Sequence, residues 1–407
     1  MIDTSPAQAL RREASALAGK VTALRHGLHQ RPEVGLDLPE TQRAVLAALA
    51  GLGLELRAGR SCGSVTAVLR GTGPRGGQPP VLLRADMDAL PVQEPAGLPW
   101  ASTVPGVMHA CGHDLHTAML AGAAELLSHD TSRLGGDVIF MFQPGEEGYE
   151  GAREMIADGI LDAAGERAGS AFGIHVISGL LPRGMFSARP GTMMAAADGL
   201  SVTVHGRGGH GSAPHRAGDP IPVAAEMIIA LQTMVTRQSD IFDPVVITAG
   251  TFHAGTRGNV IPDDATFEAT VRTYSPKARA RVQQSALRLC ESIAAAHGLR
   301  AQARWIAGYP PTVNDDAQYA FAAEVVTSVF GAGRFERKPV PDTGAEDFSR
   351  VLAEVPGCFV FLGASASDDF AAQDGNHSPR ASFDDSVMTD GVVLLAELAI
   401  RRLARNG

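Results

Sequence analysis

The chain has 407 residues, 45% of them hydrophobic and 19% charged, with a net charge of -9. That length exceeds one ordinary core and suggests two domains, while an acidic chain without a basic stripe or aromatic-basic alternation argues against nucleic acid as a partner. With no low-complexity tract, no basic-then-apolar leader and no run of about 18 apolar residues, it reads as a soluble cytoplasmic protein without a membrane segment.

Ser5-Pro6 is placed to cap and start a first helix, whose apolar positions Leu10, Leu17, Val21, Leu24 and Leu28 recur at helical spacing until Arg31-Pro32. A second helix over about 40–50 and strands near 54–57 and 64–70 follow, then a Gly/Pro-rich turn over 71–80. Val81 to Arg84 is a short buried strand that ends on Asp86-Met-Asp88. The stretch from His109 to Thr117 packs three histidines, a cysteine and an aspartate ahead of an apolar helix at 118–127. Histidine with thiolate suits a borderline-soft divalent metal such as zinc, and the Cys111-x-His113 pair, in a Gly-containing turn before the helix, lets both donors face one side. Two more buried strands repeat the placement. Val138 to Phe142 runs into Glu146-Glu147, and Ala171 to Ile174 runs into His175. Ligand sites in open α/β sheets lie outside the carboxyl ends of the strands, so three strands deliver Asp86/Asp88, Glu146/Glu147 and His175 to one edge.

From 199 to 304 the pattern changes to βαββαβ, with the alternation of Phe267, Ala269 and Val271 marking a half-buried antiparallel strand. That order describes a ferredoxin-like α+β domain inserted into the α/β domain, giving boundaries of 1–198, 199–304 and 305–407. The last part carries helices near 317–329 and 345–354, a strand at 358–362 and a closing helix near 386–405. Glu346-Asp347 open the second of these helices, where acids favour the helix dipole whatever the function; a role next to the metals is the alternative. Four cysteines lie too far apart for a disulfide framework; Cys290 and Cys358 read as core packing, and Cys111 is the exception.

Adjacent carboxylates such as Glu146 and Glu147 repel one another in a cleft unless a cation resolves the conflict. One then binds the cation and the other takes a proton from the water that the cation activates. Cys111, His113 and His175 with a carboxylate complete a shell for one metal, and His377 in a distant turn-rich segment is the further donor a second would need. The rival chemistry, a Cys-His nucleophile pair of Cys111 with His113 or His116, leaves Glu146-Glu147 unexplained. His109 and His116 are read as supporting groups that cap the helix or hydrogen-bond the site. His26, His29, His205 and His253 are read as surface or strand residues. His215 is either structural or borders the substrate. Gly206 to His210 is a turn presenting His210 rather than a phosphate loop.

Asp86-Met-Asp-Ala-Leu-Pro91, Met108-His-Ala-Cys-Gly-His-Asp-x-His116, Phe142-Gln-Pro-x-Glu-Glu147, Gly173-x-His175, Gly208-Gly-His210 and His377-Ser-Pro379 together resemble the co-catalytic metallopeptidase/aminoacylase family. Within it they resemble the amidohydrolase branch, which includes hippurate hydrolases, N-acyl-amino-acid amidohydrolases and indole-acetyl-amino-acid hydrolases. The resemblance implies an exopeptidase-like α/β catalytic domain with a ferredoxin-like lid/dimerisation domain, a homodimer, and two divalent metal ions per subunit, zinc, manganese, cobalt or nickel. It implies that Cys111 bridges the metals, that His113 and His175 complete one shell and Glu147 with His377 the other. Glu146 takes the place of the general base, and His210 that of a lid histidine stabilising the oxyanion in a neighbouring subunit's site. Asn259 and Arg272 take the places of polar and carboxylate-holding lid residues. The chain departs from the wider family where a His-x-Asp pair is replaced by Asp86-x-Asp88; these two acids are therefore expected to orient imidazole or act through water, with His113 supplying the nitrogen donor. The implied reaction is hydrolysis of N-acyl amino acids. The alternatives are a dipeptidase or carboxypeptidase of the same family, or a non-catalytic binding protein on its scaffold.

Overall fold

The computed structural model describes residues 6–74 and 77–404. Ser5, the expected helix cap, residues 75–76 of the Gly/Pro-rich turn and residue 405 of the last helix lie outside them. The chain divides into two compact units: Met194–Thr312 with Pro341–Glu346 form the second, and the rest of the described residues form the first. The second unit is wider than the expected 199–304, because its first strand begins at Ala196 and its last runs to Tyr309.

The first unit contains α1 (Pro6–His29), α2 (Pro39–Leu49), β1 (Glu55–Ala58), β2 (Val65–Leu69), β3 (Val81–Asp86), α3 (His113–Ser128), β4 (Val138–Gln143), α4 (Gly151–Ala157), β5 (Ser170–Ile177) and β6 (Phe186–Ala188). The chain passes between the units at β7 (Gly191–Met194). The second unit is built from β8 (Ala196–His205), β9 (Gly209–His210), α5 (Pro220–Gln238), β10 (Val245–Ala254), β11 (Val260–Ile261), β12 (Asp264–Thr273), α6 (Pro276–Ala296) and β13 (Arg300–Tyr309). It returns at β14 (Thr312–Asn314) to α7 (Asp316–Phe330), β15 (Phe335–Arg337), α8 (Ser349–Leu352), β16 (Gly357–Gly363) and α9 (Val387–Ala404). No helix among the described residues is long and apolar enough to cross a membrane.

The first unit's sheet has the order β1-β2-β4-β3-β5-β16-β6-β15. Its centre, β4, β3, β5 and β16, is parallel, and every residue of these four strands is buried, as near-continuous apolar runs of Val, Ile, Leu and Phe require. Helices α3 and α9 pack on β3 and β5, with α1 against both helices. The strands run further than their apolar runs suggest. Asp86 is the last residue of β3 rather than beyond it, and His175 lies inside β5, opposite Phe361 of β16.

Helix α3 starts without a side-chain cap, from Gly112 in a left-handed conformation (φ 85°). A Cβ on Gly112 would lie 2.4 Å from Val176 Cγ2, so the residue between Cys111 and His113 has to be glycine both for its backbone and for its packing. The expected helix at 345–354 shrinks to α8, which begins at Ser349. Asp347 is not in a first helical turn: its carboxylate accepts from Gln143 Nε2 (2.7 Å), Arg84 Nη2 (3.1 Å) and the Ala152 N–H (2.9 Å), which holds this segment out of the helix.

In the second unit β10-β12-β8-β13 form an antiparallel sheet, the 2-3-1-4 order of a ferredoxin-like βαββαβ unit. Asp219 caps α5 by accepting from the Ile221 N–H, and Ser275 caps α6 by accepting from the Ala278 N–H. The inward residues Leu200, Val202, Phe267 and Val271 pack against Met227, Leu231, Ala286 and Cys290 of these helices.

Candidate metal centre

The start of α3, strand β5, the turn after β4 and the segment before α9 place donors together in the first unit. The ligand atoms of Cys111, His113 and His175 lie within 4.8 Å of one another, as do those of Cys111, Glu147 and His377, so two sets of three share the Cys111 sulfur. Cys111 Sγ is 3.5 Å from His175 Nε2 and 3.2 Å from His377 Nε2, which is itself 3.2 Å from Glu147 Oε1. The carboxylate of Glu146 joins His113 and Glu147 in a third such set.

Hydrogen bonds fix which nitrogen each ring presents. His113 Nδ1 donates to the Asp88 carbonyl (2.9 Å) and His175 Nδ1 to the Val176 carbonyl (2.8 Å), leaving each Nε2 with a lone pair. His113 Nε2 is buried and has no hydrogen-bond partner, while the buried Glu147 Oε1 has His377 Nε2 beside it. A buried acceptor left without a donor costs about 1–3 kcal/mol, which a cation at the site removes. This donor set, thiolate, imidazole and carboxylate, fits a divalent transition metal.

His116 is different. Its Nδ1 donates to Asp86 Oδ1 (2.5 Å) and its Nε2 accepts from the Val176 N–H (2.7 Å), so it has no lone pair to offer a metal and instead holds β5 beside His175. Asp86 also takes Arg84 Nη1 (2.8 Å). Asp88 Oδ1 accepts from the Glu146 N–H (2.9 Å) and Oδ2 from the Glu147 N–H (3.0 Å), so one carboxylate sets the backbone of both glutamates. Asp86 and Asp88 therefore act on neighbouring protein groups. His109 is buried with no partner for either ring nitrogen, and burial pushes its pKa down to about 3, so the ring is neutral.

The charges are unbalanced without a cation. Burial opposes a proton on His113, yet Asp86 and Cys111 outweigh it and raise that pKa well above the usual histidine value. Hydrogen bonds with Cys111 and Glu147 raise His377 to about 10. For Glu147, burial works upward but is overcome by His377 and His113, and its pKa falls. The neighbouring acids favour a proton on His113 and His377, while burial and the adjacent His116 hold His175 well below the usual histidine value; a divalent cation meets the same electrostatic need at the first two.

The other expected residues belong to the second unit. His210, on β9, pairs with Val260 of β11 and is exposed, with Ser212 Oγ 2.9 Å from its Nδ1. Asn259 accepts from the Gly211 N–H through its carbonyl (2.8 Å). Arg272, on β12, donates to Thr270 Oγ1 (2.6 Å) and the Val271 carbonyl (3.2 Å).

Two groups went unnoticed in the sequence. Arg84, read only as the end of an apolar strand, pairs with Asp86 and Asp347 and donates to Gln143 Oε1, all fully buried. His29, read as a surface or strand residue, lies at the end of α1 and is 2% exposed. It bridges Asp114 (2.8 Å) and Glu94 (3.0 Å), and Asp114 also takes Arg25 (2.7 Å). Burial opposes its proton, but Asp114 and Glu94 carry the pKa up to about 9. A raised value stabilises the fold fully below the unfolded value near 6.5, and that stability is lost as pH rises through 9. Urea unfolding at pH 6.5 should therefore show wild type ahead of His29→Gln by roughly 3 kcal/mol, with the gap closing by pH 9.5. A gap independent of pH would mean that the ring is neutral in the folded protein.

Residues 82–401 match the model of peptidase family M20/M25/M40. The chain is 37% identical over 397 residues to thermostable carboxypeptidase 2 of Saccharolobus solfataricus, covering 96% of this chain and 98% of that protein. It is 35% identical to N-acetyl-L-cysteine deacetylase of Bacillus subtilis, covering 96% and 90%. Among solved structures it superposes on the YXEP protein of Bacillus subtilis, described as a dinuclear metal-binding peptidase of family M20, with a TM-score of 0.81 and 32% identity over 96% of this chain and 99% of that one. The chain is thus a hydrolase acting on amide bonds, and it belongs to peptidase family M20/M25/M40.

Proposed function

We propose that the protein cleaves the amide bond between an acyl group and an amino acid, using two divalent metal ions held by Cys111, His113 and His175 and by Cys111, Glu147 and His377. The observation that carries this reading is the pair of donor sets sharing the Cys111 sulfur, with the Glu146 carboxylate beside them. When bound, the metals supply Lewis acidity and lower the pKa of water toward neutrality. The protein's own residues do the rest. Glu146, fixed through its N–H by Asp88, accepts the proton of the attacking water and returns it to the departing amine. Asp86 and His116 hold β5, and with it His175, in place. The thiolate favours zinc, and the imidazole and carboxylate donors also suit manganese, cobalt or nickel. The four cysteines are unpaired, in keeping with a reducing, cytoplasmic setting.

The second unit serves as lid and dimerisation domain, with Asn259 and Arg272 meeting the substrate's polar and carboxylate groups. Edge strand β10 exposes Val246 and Phe252, and beyond α5 Phe242 is 90% exposed, which supports a homodimer through this unit. His210 then stabilises the oxyanion in the partner's site. Mixing His210→Ala subunits with Glu146→Ala subunits should restore activity in the mixed dimers; no recovery would place His210 outside a shared site. The similarity to a carboxypeptidase keeps peptide cleavage as the second reading. A panel of N-acetyl, N-benzoyl and indole-acyl amino acids beside dipeptides, assayed after stripping metal and restoring each ion, separates the two. Turnover of dipeptides alone would overturn the acyl-amino-acid reading.

A further inference from the structure

Of the five proposed metal donors, four come from β5, the turn after β4 and the start of α3, and only His377 stands on a long irregular segment. It is also the exposed one, with 56% of its side chain accessible, and its backbone is left-handed (φ 70°), a conformation that costs a non-glycine residue about 1 kcal/mol or more. Something has to hold it there. The His377 N–H donates to the Ala110 carbonyl (2.9 Å), Ser178 Oγ donates to the Asp374 carbonyl (2.9 Å), and further ties run through the residue before His377. Asn376 Nδ2 donates to the Cys111 carbonyl (3.1 Å) and the Val176 carbonyl (3.0 Å) and lies 3.7 Å from Cys111 Sγ, while its Oδ1 accepts from the Ser178 N–H (2.8 Å).

One side chain therefore joins the loop that carries His377 to the residue before α3 and to the end of β5. One of its two N–H groups is shared between the Cys111 carbonyl and the shared sulfur. An N–H directed at a thiolate withdraws electron density from it and fixes its direction, as outer partners of metal ligands do. We propose that Asn376 is a positioning residue for the Cys111–Glu147–His377 metal position: it registers His377 against Cys111 and tunes the shared thiolate. The proposal rests on the two-metal reading above. Its effect is unequal between the two positions, because His113 is held through Asp88 and His175 stands on β5, meeting Asn376 only at the Val176 carbonyl that both share, whereas His377 is the residue next to it.

The test is cobalt binding to metal-free wild type and Asn376→Ala, followed by titration with a competing chelator, by the near-ultraviolet thiolate-to-cobalt absorption and by melting of the metal-free proteins. The expected result is a second cobalt bound at least about 10-fold more weakly in the variant, a shifted thiolate band, a first cobalt bound as in wild type, and a metal-free protein that still melts in one cooperative transition. Both cobalt ions bound as tightly as in wild type with an unmoved band would overturn the proposal, as would a lowered metal-free melting temperature with unchanged cobalt affinity. If Asn376→Ala does not fold, Asn376→Ser is judged on the same measurements, its hydroxyl supplying a single, shorter donor. If wild type itself takes up one cobalt only, the two-metal reading fails, and Asn376 is then judged on the affinity and absorption of that ion.

Discussion

Glu146→Ala purifies with the metal content of the wild-type protein and loses turnover by roughly 10^3-fold, the usual contribution of a positioned general base. The separation of the two effects follows from the site. Neither three-donor set that shares Cys111 includes Glu146, so both survive the substitution. The loop survives as well, because Asp88 holds residue 146 through its N–H rather than its side chain. What disappears is the one carboxylate that lies beside His113 and Glu147 without belonging to those sets. Glu147→Ala provides the contrast: it removes a donor, so metal content and activity fall together. Elemental analysis of both purified variants, with kcat measured on the best substrate of the panel, reads the difference. A Glu146→Ala protein with near wild-type kcat would transfer the base to another group.

Arg84→Met destabilises the protein by about 3–5 kcal/mol, the typical cost of removing one partner from a buried ion pair. The side chains of Arg84, Asp86 and Asp347 are all fully buried, and the guanidinium is the cation between the two acids. Methionine matches much of the stem but leaves both carboxylates without it. The double variant Arg84→Met/Asp347→Leu should recover part of the loss, since one of the orphaned charges is then gone. Urea denaturation of the metal-free proteins measures both. A loss below about 1 kcal/mol for the single variant would mean that water or protonation compensates the acids.

The parallel core was legible because β3, β4 and β5 are near-continuous apolar runs that lead into acids or histidine, a pattern that depends only on local sequence. The ferredoxin-like unit was legible for a similar reason, through alternation in β12 and the Ser275-Pro276 helix start. What escaped depends on partners far apart in the chain. His29 sits on a helix whose apolar stripe suggests simple packing, and its burial becomes intelligible only with Asp114 and Glu94, 85 and 65 residues away. Arg84 inside an apolar strand carries no local sign of Asp347, 263 residues on. The acids at 346–347 match a helix start by composition, but the claims of Arg84, Gln143 and Ala152 on Asp347 override that preference. Asn376 carries no such sign either, since an asparagine in a turn-rich segment is ordinarily explained by the turn.

The grip of Asp88 on two successive main-chain amides has a practical corollary. Because the carboxylate reads the peptide backbone and is indifferent to what residues 146 and 147 carry, the loop is a mould that can be recast chemically without being reshaped. A Glu146→Gln protein should then behave as a capture reagent, keeping ligands long enough to be fished from complex mixtures, so that the molecule itself can be used to identify what it binds.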